Sequence, residues 1–426
     1  MPAVDHASSI SPVQAAAIAA RYFGVSGTAE RLASEHDDTF RLDGADGIAR
    51  LLKISAAPAP AVDPALARRV PTPLPVPPGG DAESDAAACG PGFQTALLLH
   101  LARVAPELPV QRVIATLDGR PEITLTPGRV GTDSGAGGIG GGRPRTVRLT
   151  SWLDGQLLGR GTTSVGLRRE IGATLGRLNV ALRGFAHPGA HRTHRWDLQN
   201  FGALGPLLGQ LPESGLLPSV GQALAAGALV ADGLAAHGVG SDPMAADGLR
   251  ELTGGGLRAA LTDCLNRFDA VARPALAGLP VQVIHTDFHG ENLLTDGGER
   301  LTGILDFGDA LAGPVAMDVG VAACYQLGAG RPGGDLLRPA LDVVAGYHAV
   351  DPLSGADLDL VAEFMVARVA ARIIVSQSTA ARDPANSGYL LRRTPQAVAH
   401  LAALRALQSD EIGRRLRAAC RLEVVR

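Results

Sequence analysis

The residues with the most chemistry in them share one stretch, 281–308, which reads VQVIHTDFHGENLLTDGGERLTGILDFG. Asp287 follows His285 by two residues, Asn292 follows Asp287 by five, and Asp306 ends a second apolar run. Val281, Val283 and Ile284 read as a strand that delivers Asp287 onto a polar loop. Asp296-Gly297-Gly298 reads as a hairpin turn, after which Ile304 and Leu305 bring Asp306 back to the same end. Two acids and an amide then face one mouth. Phosphoryl transfer from a nucleotide needs that set: one carboxylate to accept the proton of an attacking hydroxyl, and an Asn and a second Asp to hold Mg²⁺ on the phosphates.

The same residues admit another chemistry. His285, Asp287 and His289 have a His-x-Asp-x-His spacing that could ligate a transition metal in a hydrolase. The next histidine along the chain is His348, so further imidazole ligands would have to come from a distance. A metal site would also leave Lys53, Asn292 and the strand ending at Asp306 without a task. His285 is expected to anchor the loop by hydrogen bonds, with direct catalysis as its alternative role. Asp318, in MDVGVA, is expected to cap the helix it begins.

Lys53 is the only lysine, so 38 of the 39 basic residues are arginine. A GC-rich codon bias would produce the same composition. Yet a compact ammonium that must touch two phosphates through a narrow approach is not replaceable by a planar guanidinium. In IARLLKIS, Lys53 points to one face of a strand while Leu52 and Ile54 take the other. The turn before the preceding strand, Ser34-Glu35-His36-Asp37-Asp38, lacks glycine, and the backbone at Ser34 can cap a phosphate only if that turn is tight.

The elements that must position these groups follow from periodicity. Residues 10–23 read as a helix with Ser11 as cap and Pro12 in the first turn. Strands are predicted at 29–33, 39–43 and 48–55, a helix at 93–104, a hairpin of strands 113–117 and 122–126 about Asp118-Gly119, and a strand at 146–153. Leu167, Ile171, Leu175, Leu178, Leu182 and Phe185 recur at helical spacing and mark the core stripe of a long helix. Loose helices and loops are expected over 205–256, a helix over 257–272, and further helices within 335–350, 356–382 and 393–420. Pro- and Gly-rich inserts near 57–92 and 127–144 interrupt the pattern. Gly135, Gly137 and Gly140 match Gly-x-Gly-x-x-Gly, but inside glycine-rich sequence that ends in Pro and follows no strand. The plan is α+β and bilobal: a small β-rich N-lobe over 1–150 and a larger α-helical C-lobe over 151–426, with the catalytic loops at the junction.

A chain of 426 residues is long enough for two domains or a two-lobed one. With 39 basic and 42 acidic residues and a net charge of -3, it has no basic surface for nucleic acid, and a small neutral or mildly cationic partner fits better. The four cysteines, Cys89, Cys264, Cys324 and Cys420, lie far apart and read as reduced thiols of a cytoplasmic protein. No run approaches the roughly 18 apolar residues of a membrane helix, so no membrane role is expected.

HTDFHGEN followed by ILDFGD resembles the aminoglycoside phosphotransferase and choline kinase superfamily, which shares its fold with protein kinases. Within it SEHDDTF, LKIS, HPGAHRTHRWDLQN, VIHTDFHGENLL, VAGYHAV and ARDPANSGYL are most similar to hydroxylysine-kinase-like phosphotransferases, over roughly 10–422. The resemblance implies a protein-kinase-like bilobal fold with a catalytic loop at 285–292 and a metal-binding segment at 306–309. It makes Asp287 the base that orients the acceptor hydroxyl, Asn292 and Asp306 the Mg²⁺ ligands, and Lys53 the contact to the α- and β-phosphates of ATP or GTP. The family's lysine-pairing helix glutamate is matched by Gln94, with Glu35 or Asp37 as possible substitutes. Adenine is expected on the link strand, against backbone groups of Ser151 and Leu153, with apolar cover from Ile54 and with Trp152 at the lobe interface. For the acceptor, Asp309 or the Trp196-Asp197 pair is expected to meet an ammonium and Arg368 a carboxylate. The implied acceptor is a small hydroxylated amine or amino acid, 5-hydroxylysine first, with aminoglycoside, homoserine and choline-type acceptors as alternatives. A nucleotide-binding pseudokinase scaffold is the reading of a different class. Nothing in the sequence sets the oligomeric state.

Overall fold

The structure, a computed structural model, describes residues 10–34, 37–56, 92–125, 144–159, 161–225, 243–330 and 334–423. The inserts expected near 57–92 and 127–144 fall almost wholly outside them, as do Glu35, His36, Cys89 and the Gly135/Gly137/Gly140 pattern. The class is α+β as predicted, with a β-sheet N-terminal part and a larger helical C-terminal part. Contacts divide the chain into two units. One comprises the described residues up to Asp154 with His187–Gly189; the other comprises Gly155–Ala186 and those from Ala190 onward.

The first unit is an antiparallel sheet with a helix on one face. Its strands are β1 (Gly27–Leu32), β2 (Asp38–Gly44), β3 (Ala49–Ala56), β4 (Val113–Ile114), β5 (Ile123–Leu125) and β6 (Arg145–Ser151), in the order β1-β2-β3-β6-β4 with β5 also on β6. Helix α1 (Pro12–Phe23) starts in a capping box of Ser11 and Gln14, which satisfies two helix-start donors reciprocally. Its Ala15, Ala19 and Phe23 pack on Phe40, Leu52, Ile54, Val147 and Leu149. Each fully buried Leu or Phe in such a layer contributes about 1.5–3 kcal/mol relative to exposure. Helix α2 (Phe93–Val104) also belongs to this unit. The hairpin predicted between 113–117 and 122–126 does not form as a pair. The turn at Thr116–Arg120 is present, but β4 and β5 each bond to β6, at Leu149–Thr150 and at Arg145–Val147 respectively. One long strand offers a continuous row of backbone partners, which two short segments use one after the other.

The second unit carries two small sheets within helices. The three-stranded sheet has the order β10 (Leu301–Ile304), β9 (Leu293–Thr295), β7 (Gln156–Leu157), and β8 (Val281–Ile284) pairs antiparallel with β11 (Leu311–Pro314). Helix α3 (Val165–Leu182) buries Leu167, Ile171, Leu175, Leu178 and Leu182 along the predicted stripe, and ends before Phe185. The other helices used below are α4 (Val315–Cys324), α5 (Arg338–His348), α6 (Gly355–Arg382), α7 (Thr394–Leu407) and α8 (Ser409–Glu423). Within the range 393–420, where helical structure was expected, Gln408 separates α7 from α8. Helices α3 and α5 meet through glycines: a Cβ on Gly172 would lie 1.9 Å from the Val343 carbonyl oxygen, and one on Gly346 2.2 Å from that of Arg169. The backbones touch where any side chain would force them apart. Beside that contact the Arg168–Asp342 ion pair, 2.7 Å and buried at both ends, ties the two helices. Among the described residues Cys264, Cys324 and Cys420 are buried thiols, and no helix is long and apolar enough to cross a membrane.

Candidate active site

In the first unit Lys53 lies on β3, cross-strand from Thr39 and from Arg148. Its ammonium meets Asp37 at 2.9 Å, with both side chains largely shielded from solvent. Asp37 is therefore an acid on Lys53. Gln94, expected at the place of the family's lysine-pairing glutamate, turns its amide oxygen to Arg148 Nη2 at 2.9 Å. Arg148 stands opposite Lys53 in the sheet, so the Gln94 amide oxygen is bonded to the arginine across from the lysine. Ser34 lies two residues past β1 in irregular backbone.

The expected adenine contacts need two corrections. Ile54 is fully buried in the core beneath α1, because alternation along a strand sends it away from Lys53. Half-buried Leu51 shares the Lys53 face instead. The Ser151 N–H donates to the Arg112 carbonyl (2.8 Å) and the Ser151 hydroxyl accepts from the Arg112 N–H (2.9 Å). That N–H is already committed. Leu153 follows β6 in extended, partly exposed chain, and Trp152 stacks under the Arg41 guanidinium at 4.8 Å.

In the second unit the loop after β8 is built from the inside outward. Asp318, fully buried on α4, accepts from the backbone N–H groups of His285 (3.1 Å) and Thr286 (2.7 Å). It was expected to cap its own helix; its oxygens point to the loop instead. These bonds hold Thr286 at φ 67°, a region that costs a β-branched residue about 1–2 kcal/mol. Burial pushes the Asp318 carboxyl up, against the opposing pull of His285 and the two N–H groups. Fully buried His285 donates from Nε2 to the Leu305 carbonyl (2.9 Å) and accepts at Nδ1 from the Asp287 N–H (3.3 Å). It joins the two acid-bearing turns, which is the anchoring role expected of it.

Asp287 then stands among three donors. Arg368 Nη2 donates to its Oδ1 at 2.6 Å, and His289 Nε2 and Asn292 Nδ2 reach its Oδ2 at 3.1 and 2.9 Å. Burial pushes the Asp287 carboxyl up, but His289 and then Arg368 more than offset it and hold the group well below the usual carboxylate range. His289 accepts at Nδ1 from the Glu291 N–H (3.1 Å) and stacks on Tyr325, centroids 4.3 Å apart. All four imidazole nitrogens of His285 and His289 are engaged inside the loop, which leaves none to ligate a transition metal. The hydrolase alternative loses its ligands.

Asn292 also donates to the Asp287 carbonyl at 3.0 Å, and its own carbonyl accepts from the Leu305 N–H at 2.9 Å. Its side-chain oxygen makes no hydrogen bond among the described residues. Asp306 is exposed, at φ 54°, and takes the Gly308 N–H on Oδ1 at 3.0 Å. An amide oxygen and a carboxylate are hard donors of the kind Mg²⁺ accepts alongside phosphate oxygens. The residues present fit that ion.

Sequence reasoning missed what fixes the turn after Asp306. Arg192 Nε and Nη2 donate to the Ala310 carbonyl at 3.1 and 2.8 Å, and Nη2 also reaches the Gly308 carbonyl. His194 Nε2 donates to the Asp309 carbonyl at 3.1 Å, as does the Thr286 hydroxyl at 2.8 Å. Burial pulls the Arg192 guanidinium down, opposed by Asp309 and Asp306. The segment HPGAHRTHRWDLQN carried the signal, but no spacing rule links its arginine to carbonyls more than 100 residues away.

The acceptor candidates divide. The Asp309 carboxylate makes no hydrogen bond among the described residues. Asp197 is buried and caps the turn Leu198–Leu204, accepting from Gln199 and Asn200; burial pushes its carboxyl up, and it is not offered to a ligand. Trp196 lies against the Arg368 guanidinium at 4.8 Å. Arg368, expected to meet a substrate carboxylate, is buried against Trp196 and Tyr325 and holds Asp287. Its charge serves the catalytic loop.

The model of the phosphotransferase enzyme family matches residues 28–358, most of the chain. Hydroxylysine kinase of Danio rerio is 24% identical over 277 residues, 63% of this chain and 66% of that relative, just under two thirds of its length. Among solved structures, a microcompartment-associated aminopropanol kinase is similar at 17% identity and a TM-score of 0.49, over 96% of this chain and 98% of that one. Amicoumacin kinase, solved with AMP-PNP, Ca²⁺ and Ami, is similar at 12% identity and a TM-score of 0.48, over 87% and 88%. With a family match of that extent, the chain belongs to the phosphotransferase enzyme family.

Proposed function

We propose that the protein is an ATP- and Mg²⁺-dependent kinase that phosphorylates the hydroxyl of a small amino acid, with 5-hydroxylysine the first acceptor to try. One observation carries the reading. A carboxylate has about four acceptor positions; Arg368, His289 and Asn292 fill three on Asp287, which leaves one for an acceptor hydroxyl. The depressed Asp287 carboxyl stays ionised at neutral pH, so it orients that hydroxyl and takes the proton as the new P–O bond forms. Loose phosphoryl transfer asks for positioning more than for basicity. Asn292 and Asp306 would hold Mg²⁺, which neutralises the phosphate charge when bound. Lys53, kept in place by Asp37, would hold the α- and β-phosphates. The identity to a hydroxylysine kinase supports this acceptor class over aminoglycoside and choline-type acceptors.

The test is ADP release with ATP or GTP across 5-hydroxylysine, homoserine, aminopropanol, choline and aminoglycosides, with Asp287→Asn as control. Turnover of a hydroxy amino acid that Asp287→Asn lowers by at least about 100-fold supports the proposal. Tight ATP binding without turnover of any acceptor would replace it with the scaffold reading.

A further inference from the structure

Arg372 lies on α6 one turn after Arg368. It is half-buried over the Tyr325 ring at 5.0 Å, and among the described residues it makes no hydrogen bond or ion pair. Arg368, one turn back on the same helix, is on Asp287, and Arg393 is on Glu291. Arg372 faces a recess of about 20 Å³, whose wall includes Gly159, Thr163, Tyr325, Gln326 and Gln396. A space of that size admits a water or a small planar head group, not a whole substrate. A part-buried guanidinium without an acid, beside side-chain amides, is a match for an anion that two parallel N–H groups can grip.

Tyr325 joins the recess to the catalytic loop. Its ring stacks on His289, and its hydroxyl accepts from Arg368 Nη2 at 3.1 Å, the same nitrogen that donates to Asp287. Four residues of helix rise about 6 Å, so Arg372 and Arg368 are separated by roughly the length of a short aliphatic chain.

We propose that this recess binds the α-carboxylate of the acceptor through Arg372, which restricts the kinase to hydroxylated amino acids and disfavours choline-type and aminoglycoside cations. The proposal rests on the kinase reading above and moves the carboxylate anchor from Arg368, which is buried with Nη2 on Asp287, to the next turn of the same helix.

The test compares 5-hydroxylysine with its primary carboxamide in the wild type, Arg372→Gln and Arg372→Lys. Binding is measured by calorimetry without nucleotide, KM and kcat by ADP release, and folding by thermal unfolding. The wild type should bind the acid at least about 10-fold more tightly than the amide. Arg372→Gln should erase that preference by raising Kd and KM for the acid, and Arg372→Lys should keep part of it. Equal binding of acid and amide by the wild type, binding of neither, or a preference that survives Arg372→Gln overturns the proposal. Arg372-dependent binding of the acid without phosphorylation of any hydroxylated amine would instead overturn the kinase reading and leave the anion site standing.

Discussion

Removing Asp318 should release the catalytic loop without touching a reacting group. Its two oxygens accept the His285 and Thr286 N–H groups inside a fully buried site. In Asp318→Ala both donors lose their partner, at about 1–3 kcal/mol each. Thr286, at φ 67°, then keeps only its hydroxyl bond to the Asp309 carbonyl, and relaxing that residue returns about 1–2 kcal/mol to a displaced loop. Part of the loss is offset because the core no longer holds a carboxyl that burial already disfavours. The expected net is about 2–4 kcal/mol less stability. Asp287 follows Thr286 directly, and a displacement of about 1 Å costs about 100-fold in kcat. Asp318→Asn keeps one acceptor and should fall between wild type and Asp318→Ala. The assay is kcat and both KM values by ADP release, with thermal unfolding alongside. A folded Asp318→Ala enzyme with wild-type kcat would refute the claim that this carboxylate positions Asp287.

Three further outcomes follow from the same geometry. Asp287 has its folded pKa depressed by His289 and Arg368, so its stability contribution is present above an unfolded value near about 3.9 and is lost as pH falls through the folded one; in Arg368→Met the acid limb of kcat/KM should move to higher pH, and superimposable profiles would argue against the ion pair. Lys53→Arg keeps the charge but not the compact ammonium beside Asp37, and should raise KM for ATP by at least about 10-fold, read from initial rates at saturating acceptor. Gly290→Ala would place a Cβ 1.8 Å from the Gly159 carbonyl oxygen, where the Gly159 N–H also donates to the Gly290 carbonyl at 2.8 Å; a stability loss of about 1–3 kcal/mol in chemical denaturation and a lower kcat are expected.

The stripe of α3, the capping box of α1 and the strands flanking Asp287 and Asp306 were legible because local periodicity and turn chemistry set them. The failures were nonlocal. Asp118-Gly119 does mark a turn, yet the flanking strands pair with β6, a partner that no turn rule names. Ile54 was placed beside the nucleotide although alternation with Lys53 already sends it to the core face. Asp197 carries a charge a substrate would want, but burial and the amides of Gln199 and Asn200 claim it, while buried Arg368 puts its Nη2 on Asp287.

By itself the sequence determined the reaction class. HTDFHGEN, ILDFGD and a single strand-borne lysine fix the residue types and spacing that phosphoryl transfer needs, and those depend on neighbours in the chain. The tertiary structure alone decided which groups support them. Asp318 on α4, Arg368 on α6 and Arg192 from the segment after α3 lie 31, 81 and 95 residues from Asp287 in the sequence. The first two bond the loop that carries Asp287 and the third bonds the turn after Asp306, contacts that only folding creates, and Arg372 comes into view as the proposed anion contact only once Arg368 on the preceding turn is seen on Asp287.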